Sequence, residues 1–145
     1  IVMHIHIIGI CGTFMGSLAK LARDIGFKVT GCDTNVYPPM SSQLIDYGIE
    51  LTEGFGNDQL KLKPDLWVIG NIATRKQPII ETILNQKLDF ISGPSFLKKY
   101  ILSNKQVVAV AGTHGKTTTS SLLAWIFEYS GKKPGFLIGG IPKNL

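Results

Sequence analysis

Cysteine is scarce in this chain: Cys11 and Cys32 are the only two among 145 residues. Two thiols cannot supply the several bridges that hold small secreted domains together, so they read as reduced thiols in a cytoplasmic protein. Long apolar runs are also missing, and none approaches the ~20 residues of a membrane span. The start of the chain lacks a charged flank followed by an apolar block and a cleavage site, so no signal peptide is expected. Aromatic residues make up 9% of the chain and do not interleave with basic ones along a stripe. Neither nucleic acid nor a membrane is therefore an expected partner. His4 and His6 share one face of a strand, but no third metal ligand of suitable spacing follows, and the pair reads as structural.

What is present is enough apolar residue for a real core, 44% by composition, and a net charge of +5 that suits phosphorylated ligands. The lysines are scattered and read mostly as solvated faces. The most informative stretch is Val107-Val108-Ala109-Val110-Ala111-Gly112-Thr113-His114-Gly115-Lys116-Thr117-Thr118-Thr119. A β-branched run enters a glycine-bracketed turn, which passes into a segment with helical apolar spacing: the pattern of a phosphate-binding loop. Backbone N–H groups converge where side-chain bulk is small, and the helix N-terminus adds partial positive charge. In that pattern Lys116 reaches the terminal phosphates and the Thr117 hydroxyl ligates Mg²⁺. The usual first glycine would fall at position 110, which is valine, so the loop is a tighter G-x-x-G-K-T.

Along the chain, Met3 to Gly9 reads as a buried first strand. Gly9-Ile10-Cys11-Gly12-Thr13-Phe14-Met15-Gly16 follows, then an apolar stripe at Leu18, Leu21, Ala22 and Ile25 that Gly26 ends. A strict dinucleotide fingerprint from Gly9 fails, because Cys11 and Phe14 stand where glycines are expected. A turn that brings backbone amides to a diphosphate remains open. Strand two, Lys28 to Asp33, ends in an acid that either hydrogen-bonds a ribose or caps the next turn. Pro38-Pro39 stiffens the following loop until Ser41 or Ser42 caps a short helix over Gln43 to Tyr47. Further strands are expected over 49–54, within 64–70 and at 90–92. The turn Asn71 to Arg75 falls at a strand C-terminal end, where open α/β sheets place ligands; Arg75 there meets a phosphate or is simply solvated. Helices begin at Pro78, carrying Ile79, Ile80, Ile83 and Leu84, and at Gly93-Pro94-Ser95, with Phe96, Leu97, Tyr100 and Ile101 inward. Ser103 to Gln106 reads as a joint, dividing the chain into residues 1–104 and 105–145. The second part should hold a strand at 107–111, a helix burying Leu122, Leu123, Ile126 and Phe127, and a strand from Phe136 to Gly140. Without the rest of its sheet it is expected either to dock on the first part or to be poorly ordered.

Four stretches together resemble one family. G-T-H-G-K-T-T at Gly112 to Thr118 resembles the ATP loop of the Mur ligases, which build cytoplasmic peptidoglycan precursors. G-I-C-G-T-F-M-G, the Cys32 to Ser41 stretch C-D-T-N-V-Y-P-P-M-S, and P-G-F-L-I-G-G-I-P resemble the branch that recycles murein tripeptide. The branch that adds L-alanine is the alternative. The resemblance implies an α/β chain with a Rossmann-like open parallel sheet flanked by helices, a UDP-sugar-binding domain, followed by the start of a P-loop ATP-binding domain. It implies that Gly9, Cys11, Gly12, Thr13, Phe14, Met15, Gly16, Asp33, Asn71 and Thr74 contact the UDP-sugar. Gly112, Thr113, His114, Gly115, Lys116, Thr117 and Thr118 would bind ATP, with Thr117 on Mg²⁺ and Lys116 and His114 as catalytic residues. The implied reaction joins UDP-N-acetylmuramate to the tripeptide amine through an acyl phosphate. Two other classes stay open: a dinucleotide domain of an oxidoreductase, and a module that binds nucleotide without catalysis, which is also what this chain would be in isolation.

Overall fold

The computed structural model describes residues 2–139. In order, the elements are β1 (His4–Ile8), α1 (Thr13–Asp24), β2 (Lys28–Asp33), α2 (Met40–Asp46), β3 (Glu50–Glu53) and a 3₁₀ segment (Asn57–Leu62). Then come β4 (Leu66–Ile69), α3 (Pro78–Asn85), β5 (Phe90–Ser92), α4 (Gly93–Phe96) running on as a π-helical turn (Leu97–Ile101), and α5 (Lys116–Tyr129). All five strands are parallel, in the order β3-β2-β1-β4-β5. Parallel neighbours cannot be joined by hairpins, so helical segments cross over between them and cover the sheet. This is the expected open parallel sheet flanked by helices.

Pleating divides β1 between two cores. Ile5 and Ile7 pack with Leu18, Ala19 and Ala22 of α1, Leu44 of α2 and Phe96. Ile8 turns to the other face, with Cys32, Trp67 and the Ile79, Ile80 and Ile83 stripe of α3. The histidines lie on that second face and are committed to one buried chain. Thr30 Oγ1 lies 2.9 Å from His4 Nε2 and 2.7 Å from His6 Nδ1, and His6 Nε2 lies 2.8 Å from Gln59 Oε1. Because the Gln59 carbonyl oxygen only accepts, His6 donates through Nε2 and accepts the Thr30 hydroxyl at Nδ1. Gln59 Nε2 donates in turn to the Gly54 and Gly56 carbonyls at 3.1 and 3.2 Å. The pair is structural, and the side chain that completes it comes from a 3₁₀ segment that periodicity does not reveal.

Several local expectations need correction. Helix α2 begins at Met40 with Pro39 at its N-cap, ahead of Ser41 and Ser42 and without a side-chain cap. Proline costs little there, because the first helical amides have no intrahelical partner. Residues 107–111 form no strand, since ladder hydrogen bonds need a neighbour and none of the five strands pairs with them. Phe136 to Gly139 form none either, and Gly140 lies outside the described residues. On α5, Leu122 and Ile126 are exposed (both 58%) and Ala124 is the buried residue. Leu123, Ala124 and Phe127 instead line a groove of about 630 Å³ shared with Leu21, Ile101 and Ile138. Residues of the second part thus line this groove together with the far end of α1, and they do not extend the sheet.

Burial holds the His6 pKa down at about 4, below the ordinary 6.5. A histidine depressed in the folded state stabilises at high pH, and that contribution is lost as pH falls through 6.5 towards 4. Urea unfolding should therefore show roughly 2 kcal/mol less stability at pH 5 than at pH 7.5 from this residue. A His6→Phe variant should lose that slope; an equal slope in both proteins would place the titrating group elsewhere.

Candidate functional site

The turn after β1 is shaped by what surrounds it. Gly9 has φ of +83°, and a Cβ there would sit 2.8 Å from Ile72 Cγ1, so conformation and space both demand glycine. The N–H groups of Gly9 and Ile10 donate to the Cys32 carbonyl at 2.8 and 3.1 Å. The Cys11 N–H donates to Asp33 Oδ2 at 3.0 Å, while Asp33 Oδ1 accepts the Asn35 N–H at 3.3 Å. Asp33 is only 4% exposed. The Asn35 bond is the cap on the next turn that was open to it. Gly12 is the N-cap of α1 and has no side chain to offer. The first amide bonded inside the helix is that of Gly16, to the Gly12 carbonyl at 2.7 Å. The amides of Thr13, Phe14 and Met15 have no helical acceptor, and the helix dipole favours an anion beside them.

The expected contact residues consequently separate into two groups. Gly12 and Thr13 are exposed and Phe14 half-buried, whereas Gly9, Met15 and Gly16 are buried. Gly16 serves packing: a Cβ on it would approach Met40 Sδ to 2.7 Å and the Ile10 carbonyl to 3.2 Å. That contact fastens the loop after β2 to the base of α1. The Cys11 thiol is not activated, because burial and the Asp33 charge push its pKa up to about 11. Strand order reverses between β1 and β4, which opens the crevice where such sheets bind ligands. Asn71 and Thr74 are exposed on its other wall, after β4, and Ile72 of the same loop abuts Gly9.

The second glycine turn stands apart. Gly115, with φ of +75°, is the N-cap of α5. Lys116 Nζ donates to the Gly112 carbonyl at 2.7 Å and the Thr113 carbonyl at 3.4 Å, folding the ammonium back over the loop. His114 Nδ1 lies 3.3 Å from Thr113 Oγ1. Residues 112–118 are all exposed. The unpartnered first-turn amides, the ammonium and the Thr117 hydroxyl form a donor set that fits a polyphosphate and its metal ion. The groove between α1 and α5 contains no residue of either turn.

Residues 4–105 match the model of the Mur ligase family, catalytic domain. The chain belongs to the Mur ligase family. It is 55% identical, over 98% of its length, to the Escherichia coli UDP-N-acetylmuramate–L-alanyl-gamma-D-glutamyl-meso-2,6-diaminoheptandioate ligase, of which it spans 31%. The crystal structure of the corresponding Neisseria meningitides ligase superposes on all of this chain with a TM-score of 0.95 at 55% identity, the match covering 45% of that structure. A UDP-N-acetylmuramate–L-alanine ligase from Rickettsia typhi is 36% identical over 97% of the chain, which spans 28% of it. This Mur ligase chain therefore covers about a third of the length of the curated relatives it matches. Among the described residues no helix is long and apolar enough to cross a membrane.

Three contributors to the site were not singled out by motif reading: Met40, Ile72 and Gln77. Met40 and Ile72 act by packing on glycines, which no local pattern records. Gln77 precedes Pro78, where a good N-cap residue would be read, and a glutamine in that place is the available signal. Asp33→Ala should cost about 2 kcal/mol, the usual range for removing a charged buried acceptor. It should also speed exchange of the Cys11 amide in particular. Unchanged protection at Cys11 would show that the carboxylate does not hold the turn.

Proposed function

We propose that this chain is the N-terminal part of an ATP-dependent amide ligase that joins L-alanyl-γ-D-glutamyl-meso-diaminopimelate to UDP-N-acetylmuramate in peptidoglycan recycling. The observation that carries this reading is the presence in one chain of two glycine-bracketed turns, each opening a long helix: α1 of 12 residues and α5 of 14. One serves a sugar nucleotide and the other ATP. Residues 1–104 form the UDP-sugar domain and residues 105–145 begin the ATP domain. The tripeptide-adding branch is favoured over the L-alanine-adding branch by the Cys32 to Ser41 stretch and by the higher identity to the first set of relatives. An oxidoreductase dinucleotide domain is disfavoured by the broken glycine fingerprint and by the second phosphate loop.

In this reading Gly12, Thr13 and Phe14 present the open end of α1 to the diphosphate, and Gly9, Cys11, Met15, Gly16 and Asp33 hold that turn in place. Asn71 and Thr74 form the opposite wall. A carboxylate is a poor acyl donor because oxide would have to leave. Transfer of the terminal phosphoryl group of ATP to the lactyl carboxylate makes phosphate the leaving group, and the tripeptide amine then displaces it. Lys116 releases its loop carbonyls to neutralise charge on the transferring group, with Gly112, Thr113, Gly115 and Thr118 lining the loop. Thr117 would hold Mg²⁺, which would supply further charge neutralisation. His114 faces solvent beside Thr113 and is placed to meet the same phosphates. The activity resides in the cytoplasm, where the precursors are made, and requires the remaining length of the ligase.

Calorimetric titration of this chain with UDP-N-acetylmuramate, then with Mg-ATP, tests the division of labour. Sugar-nucleotide binding with weak ATP binding is the expected result. Binding of a nicotinamide dinucleotide with no response to the sugar nucleotide would overturn it. In the complete ligase, Lys116→Ala should lower kcat by roughly 10²–10³-fold with the KM for UDP-N-acetylmuramate little changed. Turnover with tripeptide but not with L-alanine would fix the branch.

A further inference from the structure

Gln77 occupies the N-cap position of α3 but makes no cap bond with its side chain. It does not need to. The Ile79 N–H is met by the Phe55 carbonyl at 3.1 Å, and those of Ile80 and Glu81 by Gln77's own carbonyl at 3.1 and 3.2 Å. The carboxamide turns back instead: Oε1 accepts the Thr74 N–H at 3.0 Å, and Nε2 donates to the Ile72 carbonyl at 3.2 Å. The Gln77 N–H closes the same loop on the Thr74 carbonyl at 3.0 Å. One side chain thus braces the loop from two directions while Ile72 presses on Gly9. Arg75 lies inside the braced segment and is exposed, in the loop after β4 whose Ile72 abuts the glycine turn before α1.

Charge accounting asks for such a group. A helix N-terminus supplies about half a positive charge, whereas a nucleoside diphosphate ester carries two negative ones. Lys20, the lysine on α1 itself, is already engaged with Gln43 Oε1 at 2.7 Å. We propose that Arg75 is the cationic contact to the diphosphate of the sugar nucleotide, and that Gln77 is the positioning residue that holds its loop against the glycine turn. The proposal deepens the sugar-nucleotide reading above and rests on it. A guanidinium held by a fixed backbone can meet two phosphate oxygens at once, which a freely moving ammonium such as that of neighbouring Lys76 does less well.

The test is calorimetric titration of this chain with UDP and, separately, uridine, together with amide exchange at Thr74. Arg75→Ala should weaken UDP binding roughly tenfold or more and leave uridine unchanged, while Lys76→Ala, the same charge change one residue on, should cost less than about threefold. Gln77→Met should accelerate Thr74 exchange and weaken UDP several-fold, again sparing uridine. Equal losses for Arg75→Ala and Lys76→Ala, or equal losses for UDP and uridine, would overturn the role of Arg75. Unchanged Thr74 exchange and UDP affinity in Gln77→Met would overturn the brace. If the unaltered chain binds no UDP, the sugar-nucleotide reading falls and the role of Arg75 falls with it, while Thr74 exchange still decides whether Gln77 braces the loop.

Discussion

The buried carboxylate of Asp33 ties the end of β2 to the turn after β1, and the geometry of the candidate site depends on that tie. With no side chain at its N-cap, α1 cannot organise its own first turn. The Cys11 amide is aimed by an acceptor 22 residues away, and the Gly9 and Ile10 amides by the neighbouring Cys32 carbonyl. Four consecutive N–H groups, from Gly9 to Gly12, are consumed in fixing the turn, the Gly12 N–H by the Gly9 carbonyl at 3.3 Å, and the next three, from Thr13 to Met15, have no helical acceptor. A carboxylate suits this task because a charged acceptor forms a stronger bond to an amide than a neutral one. Its own desolvation is offset by taking up the Asn35 amide as well.

Packing then sets what lies around those amides. Two glycines are used as contact surfaces: Gly9 receives Ile72 from the loop after β4, and Gly16 receives Met40 from the start of α2. The loops at the C-terminal ends of β2 and β4 are in this way fastened to the turn after β1. The crevice at the strand-order reversal acquires two walls whose separation is fixed by side-chain contact. On the face of the sheet that carries α3, the chain from His4 through Thr30, His6 and Gln59 keeps buried polar side chains satisfied.

Much of this fold is legible in the amino-acid order, and the parts that are not share one physical cause. Strands such as Ile5 to Ile8 and Phe90 to Ser92, and helices such as Pro78 to Asn85, announce themselves because burial and periodicity act locally. The glycine turns are legible because backbone conformation demands glycine. Met40, Ile72, Gln59 and Gln77 escape because each is defined by a partner distant in sequence or by a hydrogen bond that no periodicity encodes. Val107 to Ala111 misleads for the complementary reason. A β-branched run expresses a preference for pairing, and a preference without a neighbouring strand makes no ladder. The same holds for α5, whose apolar residues surround much of the helix, so that spacing alone does not choose Ala124 over Leu122 as the buried position.

The separation of the two phosphate-binding turns follows from the chemistry proposed for them. In the proposed substrate the diphosphate and the lactyl carboxylate are carried on different carbons of the sugar ring. A site that grips the diphosphate therefore must not be the site that presents the terminal phosphate of ATP. In the proposed function the first site lies at the start of α1 and the second at the start of α5, so the two anions would not compete for the same amides. Lys116 is held over the second turn by bonds to its own loop carbonyls. Each turn is thus a local donor set built from its own backbone amides and nearby side chains.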